Sequence, residues 1–197
     1  MIFQQKGCDF INIKFELKIL KQYWIGLPED DLCSHGDIFL RVGDTVLLDG
    51  EDGEEWNISE SALSLLRTVK NDFPNNDTPL YYPKEMSIEE YEIFHCGCFM
   101  MFCPLNVGWK VKHKQDIVEL FDFKKNDREI IYSDIRIEIP LIQYVNEIYN
   151  FALTAKDFYL KQSKNFEQNE MFEGQFNKFW MEFDELLNYV FKLINKG

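Results

Sequence analysis

The chain is short of positive charge. Its 197 residues carry 21 lysines and arginines against 34 aspartates and glutamates, so the formal net charge at neutral pH is −13. A chain this acidic repels nucleic-acid phosphates and anionic membrane surfaces, so we expect neither as a direct partner. It attracts basic proteins and cations, although surplus acid in many proteins serves only solubility.

The sequence also lacks the segments and motifs of several other classes. No stretch approaches the ~20 apolar residues of a membrane span, and charged residues interrupt residues 1–21, where a signal peptide would need an apolar core. The nucleophile elbow, the P-loop, the zincin motif and the dinucleotide-binding glycine motif are missing. We therefore name no catalytic residue and expect a protein that is not an enzyme.

The five cysteines are an odd number in a chain without an export signal. This usage is typical of reduced thiols in the cytoplasm and not of a disulfide framework. Hydrophobic residues make up 46% of the chain and include 18 phenylalanines, enough to bury a core. The length predicts one domain over residues 1–197.

Apolar and polar residues alternate in several segments of the first two thirds of the chain, which predicts strands. These segments are 11–20, 37–42, 45–48, 108–114, 117–123 and 129–139, and the apolar run 98–103 suits a strand buried on both faces. We predict a helix after the third strand, with Ser59 as its N-cap and Ile58 packed on Leu63. A capping-box pattern predicts a short helix over 88–94.

The last third of the chain has helical spacing. Apolar residues recur every three or four positions from Pro140 onward, which predicts an antiparallel pair of long helices folded back on the sheet. The run Phe172, Phe176, Phe179, Trp180 and Phe183 is typical of core packing, with Trp180 as an alternative exposed anchor for a partner. The fold class is thus α+β, with a largely antiparallel sheet, strand-rich over 1–139 and helical over 140–197.

A group of cysteines and histidines offers one candidate site. Thiolates and imidazoles are the ligands that zinc prefers, but the spacing here is not that of a standard zinc knuckle. Buried structural cysteines and a reactive thiol are the other two interpretations. The candidate zinc ligands are Cys33, His35, His95, Cys96, Cys98 and Cys103.

Two acidic stretches offer a second candidate site. The order of acids and glycines between residues 49 and 55 does not match an EF-hand. A solvated turn in which Gly50 and Gly53 adopt positive φ, a surface facing a basic partner and a weak cation site all remain open. The candidate partner-binding residues are Glu29, Asp30, Asp31, Asp49, Glu51, Asp52, Glu54 and Glu55.

Several short motifs resemble those of a family of small uncharacterised bacterial proteins. They are Leu32-Cys33-Ser34-His35-Gly36-Asp37, Arg41-Val42-Gly43-Asp44, Trp56-Asn57-Ile58-Ser59 with Ala62-Leu63 and Leu65-Leu66-Arg67, and Phe179-Trp180-Met181-Glu182-Phe183. The resemblance covers about a quarter of the chain, and its motifs are architectural, so it implies no functional residue. Many acidic single-domain bacterial proteins look like immunity proteins that neutralise a toxin, which is an analogy of size and charge.

Three functions follow as hypotheses. The first is an acidic cytoplasmic protein that binds a basic protein, as an immunity protein would, without a cofactor. The second is a zinc protein or metalloenzyme built on the Cys/His group. The third is a structural subunit that associates through its aromatic C-terminal helices, and the sequence does not decide between a monomer and a homodimer.

Overall fold

The computed structural model describes residues 14–51, 53–75, 77–82, 91–96, 105–125, 132–161 and 174–196. The strands are β1 (Phe15–Tyr23), β2 (His35–Val42), β3 (Thr45–Leu48), β4 (Trp56–Asn57), β5 (Ile93–Phe94), β6 (Asn106–Lys114), β7 (Ile117–Lys125) and β8 (Tyr132–Pro140). The helices are α1 (Ile58–Lys70), α2 (Leu141–Tyr159) and α3 (Gln175–Ile194). The predicted α+β class is confirmed.

The strands form one curled antiparallel sheet in the order β1-β2-β4-β5-β6-β7-β8, and β3 pairs with β2. Alternation in the sequence sets which side chains face the core. In β2, every second residue from Gly36 to Val42 is buried, because successive side chains of a strand point to opposite faces. The same logic holds in β6, whose Trp109 and Val111 are buried.

The helices pack on the buried face of the sheet and on one another. Helix α2 packs against β1 and α1, and α3 packs against α1 and α2. The ring of Tyr144 in α2 lies 5.3 Å from that of Phe15 in β1, and its hydroxyl lies 2.7 Å from Thr68 Oγ1 in α1. Thr68 donates to the Leu65 carbonyl, so Tyr144 is the donor to Thr68.

Two local predictions differ from the structure. The N-cap of α1 is Asn57, whose Oδ1 accepts from the Glu60 amide at 3.1 Å, and not Ser59. Ser59 lies inside the helix and bonds to Ser34. Residues 93 and 94 form β5 between β4 and β6, not a helix, because pairing with two strands overrides a local helical pattern. The capping-box residues 87–90 and the predicted strand 98–103 lie outside the described residues.

Candidate functional site

The negative charge is concentrated in one part of the chain. Residues 22–66 contain eleven acidic residues and one basic residue, Arg41, so this stretch carries −10 of the net charge of −13. Arg41 bonds to Glu16 of β1, outside the stretch. The eleven acids are Glu29, Asp30, Asp31, Asp37, Asp44, Asp49, Glu51, Asp52, Glu54, Glu55 and Glu60. The stretch covers β2, β3 and β4 with their loops and the first nine residues of α1. One of its acids, Glu60, is buried in that helix.

In the first acidic loop, Asp31 organises the backbone. Its carboxylate accepts hydrogen bonds from the amides of Ile25, Gly26 and Cys33 at 3.0, 3.3 and 3.2 Å. These bonds close the loop between β1 and β2 because they satisfy amides that no strand pairs. Asp30 is left exposed and Glu29 half-buried beside it. Of the three acids predicted here, Asp31 thus organises the loop and Asp30 is the one that is exposed.

The second acidic loop connects β3 to β4. Gly50 and Gly53 have φ of +77° and +68°, as predicted for turn glycines. Asp49 accepts from the Glu51 amide at 2.9 Å, and both residues are exposed. Glu54 pairs with Lys125 at 2.9 Å, so its charge is offset, while Glu55 is exposed. Asp52 lies outside the described residues.

The two loops meet at His35, the first residue of β2. His35 pairs with Tyr23 of β1 on one side and with Asn57 of β4 on the other. Burial lowers the pKa of His35, the negative charges of Asp31 and Glu55 oppose this shift, and His95 adds to it. Burial and a hydrogen bond to Glu55 raise the pKa of Tyr23 to about 12. One histidine therefore lies within electrostatic reach of both acidic loops.

We expect the free energy of unfolding to fall as the pH drops below about 6.5, the ordinary pKa of histidine. Because the pKa of His35 is lowered in the folded protein, the unfolded chain binds its proton more readily, and acid favours unfolding. The loss is at most about 1.4 kcal/mol per pH unit for one proton. Urea denaturation of the wild type and of His35→Gln at pH 5.5 and 7.5 measures it. A variant whose stability falls as steeply as that of the wild type would contradict this assignment.

The structure brings part of the predicted Cys/His group together. His95 Nδ1 lies 3.2 Å from Cys96 Sγ, the ring of His95 lies edge-on to Trp56 at 6.2 Å, and His95 acts electrostatically on His35. Cys33 is half-buried at the end of the first acidic loop. Cys98 and Cys103 lie outside the described residues. Among the residues that are described, no three His, Cys, Asp or Glu side chains form a group that could hold a metal ion. Zinc binding stays a prediction.

A small cleft lies between the first acidic loop and the N-terminal end of α3. Leu32, Cys33, Tyr81, Phe176 and Phe179 form most of its wall, and its volume is about 60 Å³. A water molecule needs roughly 10–15 Å³ of such space, so the cleft holds about four to six waters. This is room for one aliphatic side chain.

The aromatic run in α3 is largely core, as predicted. Phe179 and Phe183 are buried. Trp180 is half-buried, with its ring 4.6 Å from that of Tyr159, so it packs within the protein. Phe172 lies outside the described residues. Met181, Tyr189 and Phe191 of the same helix are exposed, and self-association through α3 stays a prediction.

Sequence reasoning found the acidic loops but missed two features around them. The first is the concentration of the charge, which a count of acids and bases along the chain shows directly. The second is the position of His35 where the two acidic loops meet, which only the pairing of β2 with β1 and β4 reveals.

Comparison with known proteins adds no relative. No family model, no curated protein and no solved structure matches the chain. None of the helices α1, α2 and α3, which are the helices among the described residues, is long and apolar enough to cross a membrane.

Proposed function

We propose that this chain is a non-enzymatic, acidic protein-binding module whose β2–β4 end docks a basic protein, in the manner of an immunity protein that neutralises a toxin. The observation that carries the proposal is the concentration of −10 charges in residues 22–66, with Arg41 as the only basic residue there. Acid spread for solubility alone would not need to be gathered in this way.

The exposure of the acids supports the same proposal. Asp30, Asp44, Asp49, Glu51 and Glu55 are all exposed. Among the described acids of the two loops, Glu54 is paired with a lysine and Asp31 is engaged by backbone amides. A surface of exposed carboxylates attracts a basic protein over a distance of about 10 Å at moderate salt and speeds its association.

In this proposal the protein acts in the cytoplasm. The helices α2 and α3 form an antiparallel pair that packs together with the sheet. Contacts between the two helices are consistent with that arrangement. The ring of Tyr149 lies 6.0 Å from that of Phe191, whereas Tyr159, ten residues further along α2, contacts Trp180, which precedes Phe191 in α3.

Charge reversal on the acidic loops tests the proposal. Tagged protein is used to capture partners from a lysate of the native host at low and moderate salt, and a captured basic protein is then purified for binding measurements. We expect Asp30→Lys combined with Glu51→Lys to weaken binding by more than about tenfold, because a unit-charge contact in water contributes about 1 kcal/mol and four charge units change. Affinity should also fall as salt rises.

The control reverses two exposed acids elsewhere. Asp116→Lys combined with Glu185→Lys gives the same net charge from positions on the β6–β7 turn and on α3. We expect this control to bind with an affinity within about threefold of the wild type, since only local charges contact the partner. Equal losses in the two double variants would show that net charge alone matters, and recovery of no basic partner at either salt would refute the proposal. For the immunity role, expression of the captured partner alone should stop growth, and co-expression of this chain should restore it.

A further inference from the structure

Apolar side chains lie open to solvent beside the first acidic loop. Ile25, Leu27 and Leu160 are 60%, 62% and 70% exposed. Ile25 and Leu27 belong to the loop after β1, and Leu160 directly follows α2. Large aliphatic residues with this much exposure, grouped at one place, mark interaction surfaces more often than isolated ones do.

Packing holds these residues in place. The ring of Trp24 lies 5.1 Å from those of Phe158 and Tyr159, so the end of β1 is fixed to the end of α2. The hydroxyl of Tyr159 donates to the Leu32 carbonyl at 2.9 Å, at the far end of the loop. The carboxylate of Asp31 bonds to the amides of Ile25 and Gly26 within it. Ile25 and Leu27 therefore lie on an organised loop, and Leu160 directly follows the end of α2 that this loop contacts, so binding would cost little ordering entropy.

Acidic side chains border this apolar surface. Glu29 and Asp30 follow Leu27 in the same loop. Asp157 is exposed and lies three residues before Leu160, which places the two near each other at the end of α2. Two lysines occur in the same part of the chain, Lys156 and Lys161. Lys156 is paired with Asp184. An apolar centre with a charged border is the usual composition of a protein-binding site.

Two residues at the end of the same loop line the small cleft. Leu32 and Cys33, which line it, directly follow Asp31. Its volume suits one aliphatic side chain. Binding energy in protein interfaces is concentrated in side chains that fill such pockets.

We propose that Trp24, Ile25, Leu27, Phe158 and Leu160, hereafter the loop surface, dock an amphipathic basic segment of the partner protein. Its apolar side chains pack on the loop surface, with one in the adjacent cleft, and its lysines and arginines contact Glu29, Asp30 and Asp157. The inference rests on the proposed function and specifies where and what this chain binds. The acidic border disfavours a second copy of the chain and an anionic membrane as occupants.

Two synthetic peptides of equal length and equal positive charge test this inference. The first has leucines and phenylalanines at every third or fourth position, as on one face of a helix, and lysines between them. The second has serine at every apolar position. We expect the wild-type chain to bind the apolar-containing peptide at least about tenfold more tightly at 0.15 M salt, since burying even one leucine is worth that factor. Backbone amide shifts in NMR spectra should change for residues 24–31 and 157–161.

Exposed positions supply variants that should fold normally. Leu27→Ser combined with Leu160→Ser should reduce the preference between the two peptides to within about twofold and leave the weak, salt-dependent binding of the serine peptide unchanged. Ile142→Ser is the matched control, because Ile142 is exposed in the first turn of α2, 18 residues before Leu160 and roughly 27 Å away at 1.5 Å per residue. It should keep the full preference.

The outcomes separate the two proposals. The wild type could bind both peptides equally, or the Leu27→Ser/Leu160→Ser variant could keep the full preference. Either result would refute the proposed role of the loop surface and would leave the proposal of an acidic protein-binding module unaffected. Failure of both peptides to bind at low salt would count against both. Light scattering could instead show a concentration-dependent dimer of the wild type that is lost in the double serine variant. This result would show that the loop surface binds a second copy of the chain, and it would refute the inference.

Discussion

Replacement of Arg67 by alanine should lower the free energy of unfolding by about 3 kcal/mol, since it leaves a nearly buried carboxylate without its partner. Arg67 in α1 bonds to Glu182 in α3 through Nη1 and to the Asp77 carbonyl through Nη2. The other oxygen of Glu182 accepts from the Leu80 amide at 2.7 Å. Both side chains of the pair are only 12% exposed, so water cannot replace the missing guanidinium.

A double-mutant cycle measured by urea denaturation checks this prediction. Arg67→Met, Glu182→Leu and their combination separate the pairwise energy from the loss of each group. We expect the combination to cost less than the sum of the single changes, because neither charge is then left alone. Glu185→Ala, an exposed acid on the same helix, should change stability by less than about 0.5 kcal/mol. Additive single effects would show that the two side chains do not interact.

The second large effect is expected at Glu92, which has no exposed surface. Its Oε2 accepts from the Trp109 amide at 2.9 Å. Strand β5 pairs with β6 only at Asn106 and Val107, so the Trp109 amide lies beyond the end of this pairing and takes a side-chain acceptor. Glu92→Ala removes the acceptor and opens a cavity, and we expect it to lower the free energy of unfolding by about 2–3 kcal/mol.

The conservative variant distinguishes the hydrogen bond from the charge. Glu92→Gln keeps an acceptor for the Trp109 amide in nearly the same volume, so it should cost about 1 kcal/mol or less. Thermal and urea denaturation measure both variants, and hydrogen exchange at the Trp109 amide should accelerate only in Glu92→Ala. Equal exchange rates in the two variants would show that Glu92 does not protect this amide.

The long elements could be predicted from the sequence because each has a clear period. Alternation marked the segments that became β2, β6, β7 and β8, and three-to-four spacing marked α1, α2 and α3. The two-residue strands β4 and β5 have no period to detect, and pairing with neighbours defines them. The cap of α1 shifted to Asn57 because β4 ends there and its side chain is already aimed at the first turn.

The candidate site was predictable in its composition and not in its geometry. The acidic loops are visible as residue types, and so is their isolation from lysine and arginine. Asp31 bonds to backbone amides while Asp30 faces outward, and this difference depends on the path of the loop. The contact of Trp24 with Phe158 joins residues far apart in the chain, so no local pattern could show the loop surface.

Among the described residues, β3 pairs with β2 and with no other strand, so its second row of backbone amides and carbonyls faces outward. Such a row is a template on which a strand of another molecule can assemble. The four residues of β3 lie between Asp44 and Asp49, which are both exposed. Two molecules that aligned along this border would bring those carboxylates together, so the same acids act as gatekeepers against aggregation at high cellular concentration.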